Sequence, residues 1–467
     1  MQASDEARPV RRWLAAASVI ALCAGVTNLR AETLEGALSK AYSLNPTLNA
    51  QRATTRATDE TVAQAKAQGR PNVAVTASVA PTQIDGKSIT LGDRGRYSQF
   101  FVNRGAAATI NQNLFDSGKT VNATRAAESQ VLGARETLRN TEQNVLLNGA
   151  TAYMNVLRDT AILNLRRNNV EVLQEQLRQT QDRFRVGEVT RTDVAQAQAA
   201  LASAQSDEIL AVSNLKTSLA VYRQQIGDEP KQLAAAKSVE YLLPKSRELA
   251  LQVAMVEHPS IIAAQHGVDA QQLQVKVAES SLFPTLGLQG SVQDTYAASG
   301  DGTIGYSASI LAKLTVPIYD GGQSYSQIRQ AKETLGQTQI NVDIQRDTVR
   351  AAVITSWGQL DASKAQITSN IEQVKANEVA LNGVREEAKV GQRTTLDVLN
   401  AQLALLNSRV ALISSQRDRI VNSYGVLSSI GRLEAGTLAL KVSAYNPKVH
   451  FDQVKDKWIG LRTPDGR

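Results

Sequence analysis

The chain has 467 residues, of which 42% are hydrophobic and 4% aromatic, and its 51 Lys and Arg against 44 Asp and Glu give a formal net charge of +7. Its 29 glycines and 11 prolines are too few for a fibrous or low-complexity protein, and a small positive charge spread over the whole chain is no nucleic-acid signature. No uninterrupted apolar run reaches the roughly 18 residues that a transmembrane helix needs.

The N-terminus has the pattern of a secretory signal peptide, which we assign to residues 1–31. Arg8, Arg11 and Arg12 precede an uncharged stretch over residues 13–26, as a basic region precedes the apolar region of such peptides. The only cysteine, Cys23, lies in this segment, so the exported chain, residues 32–467, would contain no disulfide. The cleavage position and lipid attachment at Cys23 stay open.

The rest of the chain consists of two copies of one pattern. Residues 185–194, Arg-Val-Gly-Glu-Val-Thr-Arg-Thr-Asp-Val, recur at 389–398 as Lys-Val-Gly-Gln-Arg-Thr-Thr-Leu-Asp-Val. The same offset relates Phe-Asp-Ser-Gly at 115–118 to Tyr-Asp-Gly-Gly at 319–322. Matches of this kind indicate duplicated supersecondary units. We predict two structural repeats, about 33–231 and 246–435, within a single domain.

Each copy contains two runs in which apolar and polar residues alternate. They predict strands at about 71–80, 105–115, 285–294 and 306–318. Runs of about 9–13 residues fit the tilted strands of a transmembrane β-barrel, although alternation alone fits a soluble sandwich equally well. Aromatic residues gather at the strand ends, as in interfacial girdles: Phe115, Phe283 and Tyr319 at one end, and Tyr97, Phe100, Phe101, Tyr296 and Tyr306 at or beyond the other.

Long helices are predicted to follow the strands. No proline occurs between Lys119 and Val186, a stretch that would make about 100 Å of helix at 1.5 Å per residue. Apolar residues recur there every seven positions, as in a coiled coil: Val156, Leu163, Val170, Leu177 and Phe184, with Leu360, Ile367, Val374, Leu381 and Ala388 as their equivalents. Shorter helices stacked alongside would place all four strands at one end of a rod and both Val-Gly turns at the other.

Four strands cannot close a membrane barrel, and open edges in lipid would leave backbone groups without hydrogen-bond partners. The chain is therefore expected to oligomerise. A dimer would supply eight strands and a trimer twelve, and the residue pattern does not choose between them.

The chain resembles the TolC family of outer-membrane channel proteins (outer membrane factors) over residues 33 to about 431. The resemblance rests on two motifs that each occur twice, Val-Gly-x-x-Thr-x-x-Asp-Val and Phe/Tyr-Asp-x-Gly. It implies an α+β membrane protein in the outer membrane of a Gram-negative bacterium. Four strands per chain would contribute to the 12-stranded β-barrel of a homotrimer, with a long α-helical coiled-coil barrel in the periplasm. Residues 228–257 and 432–450 would form an equatorial belt.

The resemblance also implies partners. They are a periplasmic adaptor (membrane fusion protein), an inner-membrane transporter of the RND or ABC type, and outer-membrane lipid; no nucleic acid is expected. The adaptor would dock at the hairpin tips. The tip residues concerned are Val186, Gly187, Thr190, Val390, Gly391 and Thr394.

The same tips have a purely local explanation. Gly187 and Gly391 can end helices in the left-handed conformation, and a threonine three residues later can cap the next helix. The resemblance adds a gate at the periplasmic mouth. Asp397 would contribute to a ring of three carboxylates whose pKa values rise by mutual repulsion. Arg393 would hold Asp193 or Thr192 on the adjacent hairpin.

Two positions depart from the family's gate pattern: Asn400 replaces a second acidic residue and Ala388 an aromatic one. They suggest a less acidic, differently latched entrance.

Signals for an enzyme are weak. Gly118-Lys119-Thr120 lies between a strand and a helix, but Asn113 stands where a phosphate-binding loop needs its first glycine. The three histidines, at 258, 266 and 450, form no zinc motif, and the exported chain has no cysteine ligand. We therefore predict no enzyme and no cofactor.

The function that the resemblance implies is a trimeric outer-membrane exit duct of a tripartite efflux pump, of a type I secretion system, or of both. It would pass drugs, toxic compounds or proteins from the adaptor and inner-membrane transporter to the outside. The alternative is a periplasmic coiled-coil scaffold without channel activity. The substrates, and the choice between efflux and protein secretion, stay open.

Overall fold

The computed structural model describes residues 31–87, 95–297, 302 and 304–466. The predicted signal peptide, apart from Ala31, and Cys23 lie outside these residues. The helices are α1 Leu34–Leu44, α2 Pro46–Ala67, α3 Lys119–Arg185, α4 Arg191–Ile226, α5 Arg247–Glu257, α6 Pro259–Glu279, α7 Gln323–Lys389, α8 Thr395–Ser429 and α9 Pro447–Val454. The strands are β1 Asn72–Lys87, β2 Arg96–Phe115, β3 Thr285–Tyr296 and β4 Ile304–Thr315.

These elements form the same series twice. The order α1, α2, β1, β2, α3, α4 is repeated by α5, α6, β3, β4, α7, α8, and α9 follows. Helices α3 and α7 have 67 residues each, so each is about 100 Å long. The hairpin partners α4 and α8 have 36 and 35 residues. Helix α3 packs on α4, and α7 packs on α8.

Matching residues begin the helices in both copies. The Asn45 side chain accepts a hydrogen bond from the Thr47 amide at 2.9 Å, and His258 Nδ1 accepts one from the Ser260 amide at 3.2 Å. A proline follows each cap at the first helical position, where its missing N–H costs nothing. At the starts of the long helices α3 and α7, the carboxylates of Asp116 and Asp320 accept hydrogen bonds from the backbone amides two and four residues later. The strand-exit motif is thus a pair of helix caps.

The four strands form one antiparallel sheet in the order β1-β2-β3-β4. The first two strands exceed the predicted 71–80 and 105–115, because β1 continues through Pro81, paired with Val102, to Lys87. Proline lacks an N–H, but an edge strand tolerates it where no second neighbour needs that donor. Strand β4 runs from Ile304 to Thr315 rather than over 306–318, and so ends two residues before Pro317.

The sheet leaves two edges and much apolar surface uncovered. Strands β1 and β4 each pair with one neighbour only within the described chain. Many of the large apolar side chains on the sheet are exposed: Val73, Val75, Val79, Ile110, Ile310 and Leu314. Of the predicted girdle residues, Phe101 is buried and the other seven are exposed. Surface of this kind is suited to lipid and to further strands.

The main core lies near the middle of the long helices. Tyr153, Tyr222 and Tyr424 are fully or almost fully buried there, together with residues of α1, α5 and the segment after α8. The Tyr153 hydroxyl lies 2.7 Å from the carbonyl oxygens of Glu32 and Ala234. It thereby joins the start of the described chain to the segment after α4, at a short parallel bridge between Glu32 and Leu233.

The coiled-coil seams are buried away from the tips. Val156, Leu163 and Val170 are buried on α3, whereas Phe184, close to the turn, is 44% exposed. Among the described helices, only α8 is long and apolar enough to cross a membrane by length and composition. This is weak evidence, because core helices pass the same test and α8 packs along α7 with Leu405 and Leu406 buried.

Candidate functional site at the hairpin tips

The two hairpins end in turns of the same backbone geometry. Gly187 has φ 78° and Gly391 has φ 79°, a region that strongly favours glycine. The Glu188 amide donates to the Arg183 carbonyl at 2.9 Å, and the Gln392 amide donates to the Glu387 carbonyl at 2.9 Å. These bonds satisfy carbonyls that the helix ends leave free. A Cβ built on either glycine would meet nothing within 4 Å, so both turns present an open surface.

Capping boxes start both returning helices. Thr190 accepts from the Asp193 amide at 3.3 Å, and the Asp193 carboxylate accepts from the Thr190 amide at 2.9 Å. Thr394 and Asp397 form the same pair at 3.2 and 2.9 Å. Each box satisfies two backbone donors at a helix start. The local explanation of the tip motif is therefore present in the structure.

The cap changes what Asp397 can do. Its Oδ2 also accepts from the Thr394 hydroxyl at 2.9 Å. Hydrogen bonds from the Thr394 backbone and hydroxyl stabilise the charged form and lower the carboxyl pKa. The sequence-based expectation was a raised pKa in a ring of carboxylates. Within one chain the direction is the opposite, because capping donors surround the carboxylate.

In the described part of the chain, Arg393 forms no hydrogen bond or ion pair with Asp193 or Thr192. Its Nε donates to Glu387 Oε2 at 2.8 Å, across its own turn. Thr192 is exposed. The first hairpin has a similar ion pair with the two residues in the opposite order along the chain: Arg183, before the turn, donates to Glu188 at 2.8 Å. Each link closes a turn locally, since the two charges are only five or six residues apart.

The residue of the second hairpin that reaches Asp193 is Thr395, which the sequence analysis missed. The pKa of Asp193 is lowered mainly by the Thr190 side chain and backbone, and also by the Thr395 hydroxyl and the charge of Arg183. Thr395 occupies the position that Arg191 holds in the first repeat. No local signal distinguishes it, because the contact depends on how the two hairpins lie against each other.

Beyond the tips the two hairpins are packed loosely. Val170, Leu173, Ala204 and Leu399 form a small apolar cluster between them. Beside it is a cavity of about 280 Å³ between α3, α4 and α8, and Asn400 is part of its wall. Gln402, also in the wall, is 93% buried, and neither polar atom of its amide has a hydrogen-bond partner in the described structure. An unpaired buried amide costs stability, so this contact holds the hairpins together weakly.

Ala388 lies on the other side of this contact. It packs with Leu381, Val398 and Leu405 in the seam between α7 and α8. The small residue therefore fits a coiled coil that stays closely packed almost to its turn.

The histidines lie away from the tips and have structural partners. Burial lowers the pKa of His258 to about 4, which keeps it neutral as a helix cap. His450 Nδ1 lies 2.9 Å from Asp59 Oδ2, and His266 is 3.5 Å from Asp269. Within the described ranges, no three His, Cys, Asp or Glu side chains come together as a metal site. Thr120, in the segment resembling a phosphate loop, is bonded to the Asp116 carboxylate instead.

The cap geometry predicts an acid-sensitive first tip. Thr190→Ala removes the hydroxyl of the box and should cost roughly 1 kcal/mol of helix-end stability. Because the pKa of Asp193 is lowered, its contribution is present above the ordinary value of 3.8 and is lost as the pH falls through the folded-state pKa. Hydrogen-exchange protection of the Thr190 amide, which donates to the Asp193 carboxylate, should thus fall in acid in the wild type. Protection of the Asp193 amide, which donates to the Thr190 hydroxyl, should be lower at neutral pH in the variant than in the wild type. Thr190→Ser is the control and should behave as wild type; equal protection in all three proteins would contradict the cap.

Comparison with known proteins agrees with this architecture. The sequence pattern of the family described as "Outer membrane efflux protein" matches residues 37–228 and 250–432. The outer membrane efflux protein BepC of Brucella suis is 43% identical over 439 residues, 93% of each chain. The outer membrane protein TolC of Escherichia coli is 28% identical over 359 residues, 73% of this chain and 72% of its own.

The fold has solved counterparts. The outer membrane channel CmeC of Campylobacter jejuni superposes with a TM-score of 0.73 at 17% identity, covering 90% of this chain and 89% of its own. The predicted fold class and the predicted outer-membrane location are confirmed. The chain belongs to the outer membrane efflux protein family, the TolC-type channels.

Proposed function

We propose that three copies of this chain form the outer-membrane exit duct of a tripartite efflux system. The observation that carries the proposal is the four-stranded sheet with unpaired edges at β1 and β4 and exposed apolar side chains. In lipid these edges need partners from other chains. Three sheets supply 12 strands, and three pairs of roughly 100 Å hairpins would continue the duct into the periplasm.

Efflux of small toxic compounds is the favoured activity, because the 43% identical relative is named an efflux protein. Protein secretion through the same duct is the second candidate within this class. The inner-membrane partner would be an RND-type or ABC-type transporter. A periplasmic adaptor would join it to the hairpin tips.

The duct predicts a conducting trimer. The purified protein should run as a trimer by native mass spectrometry and should give discrete single-channel currents in planar bilayers. A coiled-coil scaffold would form an oligomer without currents, so a trimer that fails to conduct under any voltage or pH would support that alternative. Heat-denatured protein serves as the blank for the bilayer measurement.

The gate predicts a larger current when Arg393 is removed. Arg393→Ala breaks the 2.8 Å pair with Glu387 and leaves an uncompensated carboxylate at the periplasmic mouth. We expect a several-fold higher single-channel conductance, because the closed turn is loosened and cations are attracted. Lys389→Ala is the matched control, since Lys389 pairs with Glu386 at 2.7 Å one turn earlier. Equal conductance of wild type and Arg393→Ala would overturn this gate role.

The adaptor site predicts that bulk at the first tip blocks transport. Gly187→Trp adds a large side chain to a turn that presents an open surface and should abolish efflux in cells. Gly187→Asn is the control, because asparagine tolerates the left-handed conformation with less bulk. Efflux is measured as accumulation of a fluorescent substrate in cells with equal amounts of trimer. Normal efflux by the tryptophan variant would place the adaptor elsewhere.

A further inference from the structure

Beyond the second repeat, the described chain continues as a segment that packs along α2. We call residues 446–466 the C-terminal strap. Its contacts follow α2 in register. They are His450 with Asp59 at 2.9 Å, Phe451 with the Val62, Ala65, Ala127 and Val131 cluster, Asp456 with Lys66 at 2.7 Å, and Trp458 with Arg70. The strap therefore runs parallel to α2, toward the sheet.

The strap turns back where α2 gives way to the sheet. Lys457 Nζ donates to the Arg462 carbonyl at 2.7 Å, and Gly460 between them has φ 121°. Three residues after Arg462, Asp465 lies 3.6 Å from Arg56, a residue about three helical turns before the end of α2 at Ala67. Residues 457–462, which we call the apex loop, are thus the part of the strap nearest to the sheet.

Contacts with Arg70 fix the position of the apex loop relative to the start of β1. The Arg70 guanidinium stacks over the Trp458 ring at 4.6 Å and donates to the Lys457 carbonyl at 2.9 Å. Arg70 is two residues before β1, and the neighbouring Gly69 carbonyl accepts from Gln112 of β2 at 2.7 Å. The exposed ring of Phe115 is three residues further along β2. The loop therefore lies at the end of the sheet that carries Phe115, one of the predicted girdle residues.

The side chains of the apex loop have the composition of a membrane interface. Trp458 is 66% exposed, Ile459 88% and Leu461 fully exposed. Three exposed apolar residues in four positions, with a tryptophan among them, are unusual on a surface bathed in water. Lys457 and Arg462 flank them, and the loop contains no acidic residue. Tryptophan and basic side chains are the residues that settle at the headgroup level of a bilayer.

We propose that the apex loop inserts Trp458, Ile459 and Leu461 into the periplasmic leaflet of the outer membrane, with Lys457, Arg462 and Arg70 at its anionic headgroups. The occupant is phospholipid because the loop is continuous with the lipid-facing sheet and its charge is complementary to acidic headgroups. The strap then acts as a brace between the helical rod and the membrane, separate from the duct and its gate.

The tryptophan content of the chain allows a direct test. Outside the predicted signal peptide the only tryptophans are Trp357 and Trp458. Trp357→Phe therefore leaves Trp458 as the single reporter in the trimer reconstituted into phosphatidylglycerol-containing vesicles. Lipid brominated near the top of its acyl chains should quench the Trp458 emission at least twofold. Trp458→Phe is the matched control, because Trp357 packs against the main core and should be unaffected.

A second reporter covers the case in which Trp357→Phe does not fold. Since Cys23 is the only cysteine, Ile459→Cys gives the mature chain one thiol for a spin label. The label should be accessible to oxygen dissolved in lipid and shielded from a water-soluble nickel reagent. Val256→Cys, 74% exposed on α5, is the control and should show the reverse. An unquenched Trp458, or a label at 459 reached by nickel, would overturn the proposal; blue-shifted but unquenched emission would overturn it in favour of a covering subunit.

Discussion

Backbone groups at the two open edges of the sheet need hydrogen-bond partners, and the rest of the architecture follows from this need. Strands β1 and β4 each have one neighbour among the described strands. In an aqueous protein water would satisfy the free edges, but hydrocarbon offers no donor or acceptor. A protein of the outer membrane with such a sheet is driven to pair it with other copies.

The long helices of both repeats depend on their packing against other helices. Most of the stability of a helix in a protein comes from tertiary packing. Each 67-residue helix packs on a shorter returning helix, and α3 also packs on α6 and α8 of the other repeat, whereas α7 packs on α5, α6 and α8 of its own. The packing is most complete at mid-height, where three buried tyrosines and the segments after α4 and α8 surround the long helices. Toward the tips, the hairpins meet through a small apolar cluster, the Thr395–Asp193 contact, a cavity and the unpaired amide of Gln402. Stability is thus concentrated away from the end at which movement would open a duct.

At the tips, the residues predicted to form the gate already have local structural roles. Asp193 and Asp397 serve as helix caps, and the capping donors lower the pKa of both carboxyls. A carboxylate engaged in this way stays charged but is less free to turn into a pore axis. Arg393, paired with Glu387 in its own turn, is likewise engaged. A gate built from these groups would exchange local bonds for contacts between hairpins.

Local chemistry in the sequence determined the duplicated plan, the long helices, the alternating strands and the capped turns of this protein. Each of these depends on residues close together in the chain, such as Thr190 with Asp193 or Asp116 with Thr120, so the motif is sufficient to predict it. Tertiary structure alone decided that Arg393 pairs with Glu387, that Thr395 faces Asp193, that β1 continues past Pro81, and that the strap places Trp458 beside Arg70. These outcomes depend on which segments become neighbours in space, and many alternative partners of similar chemistry are available to each residue until the packing of the helices excludes them.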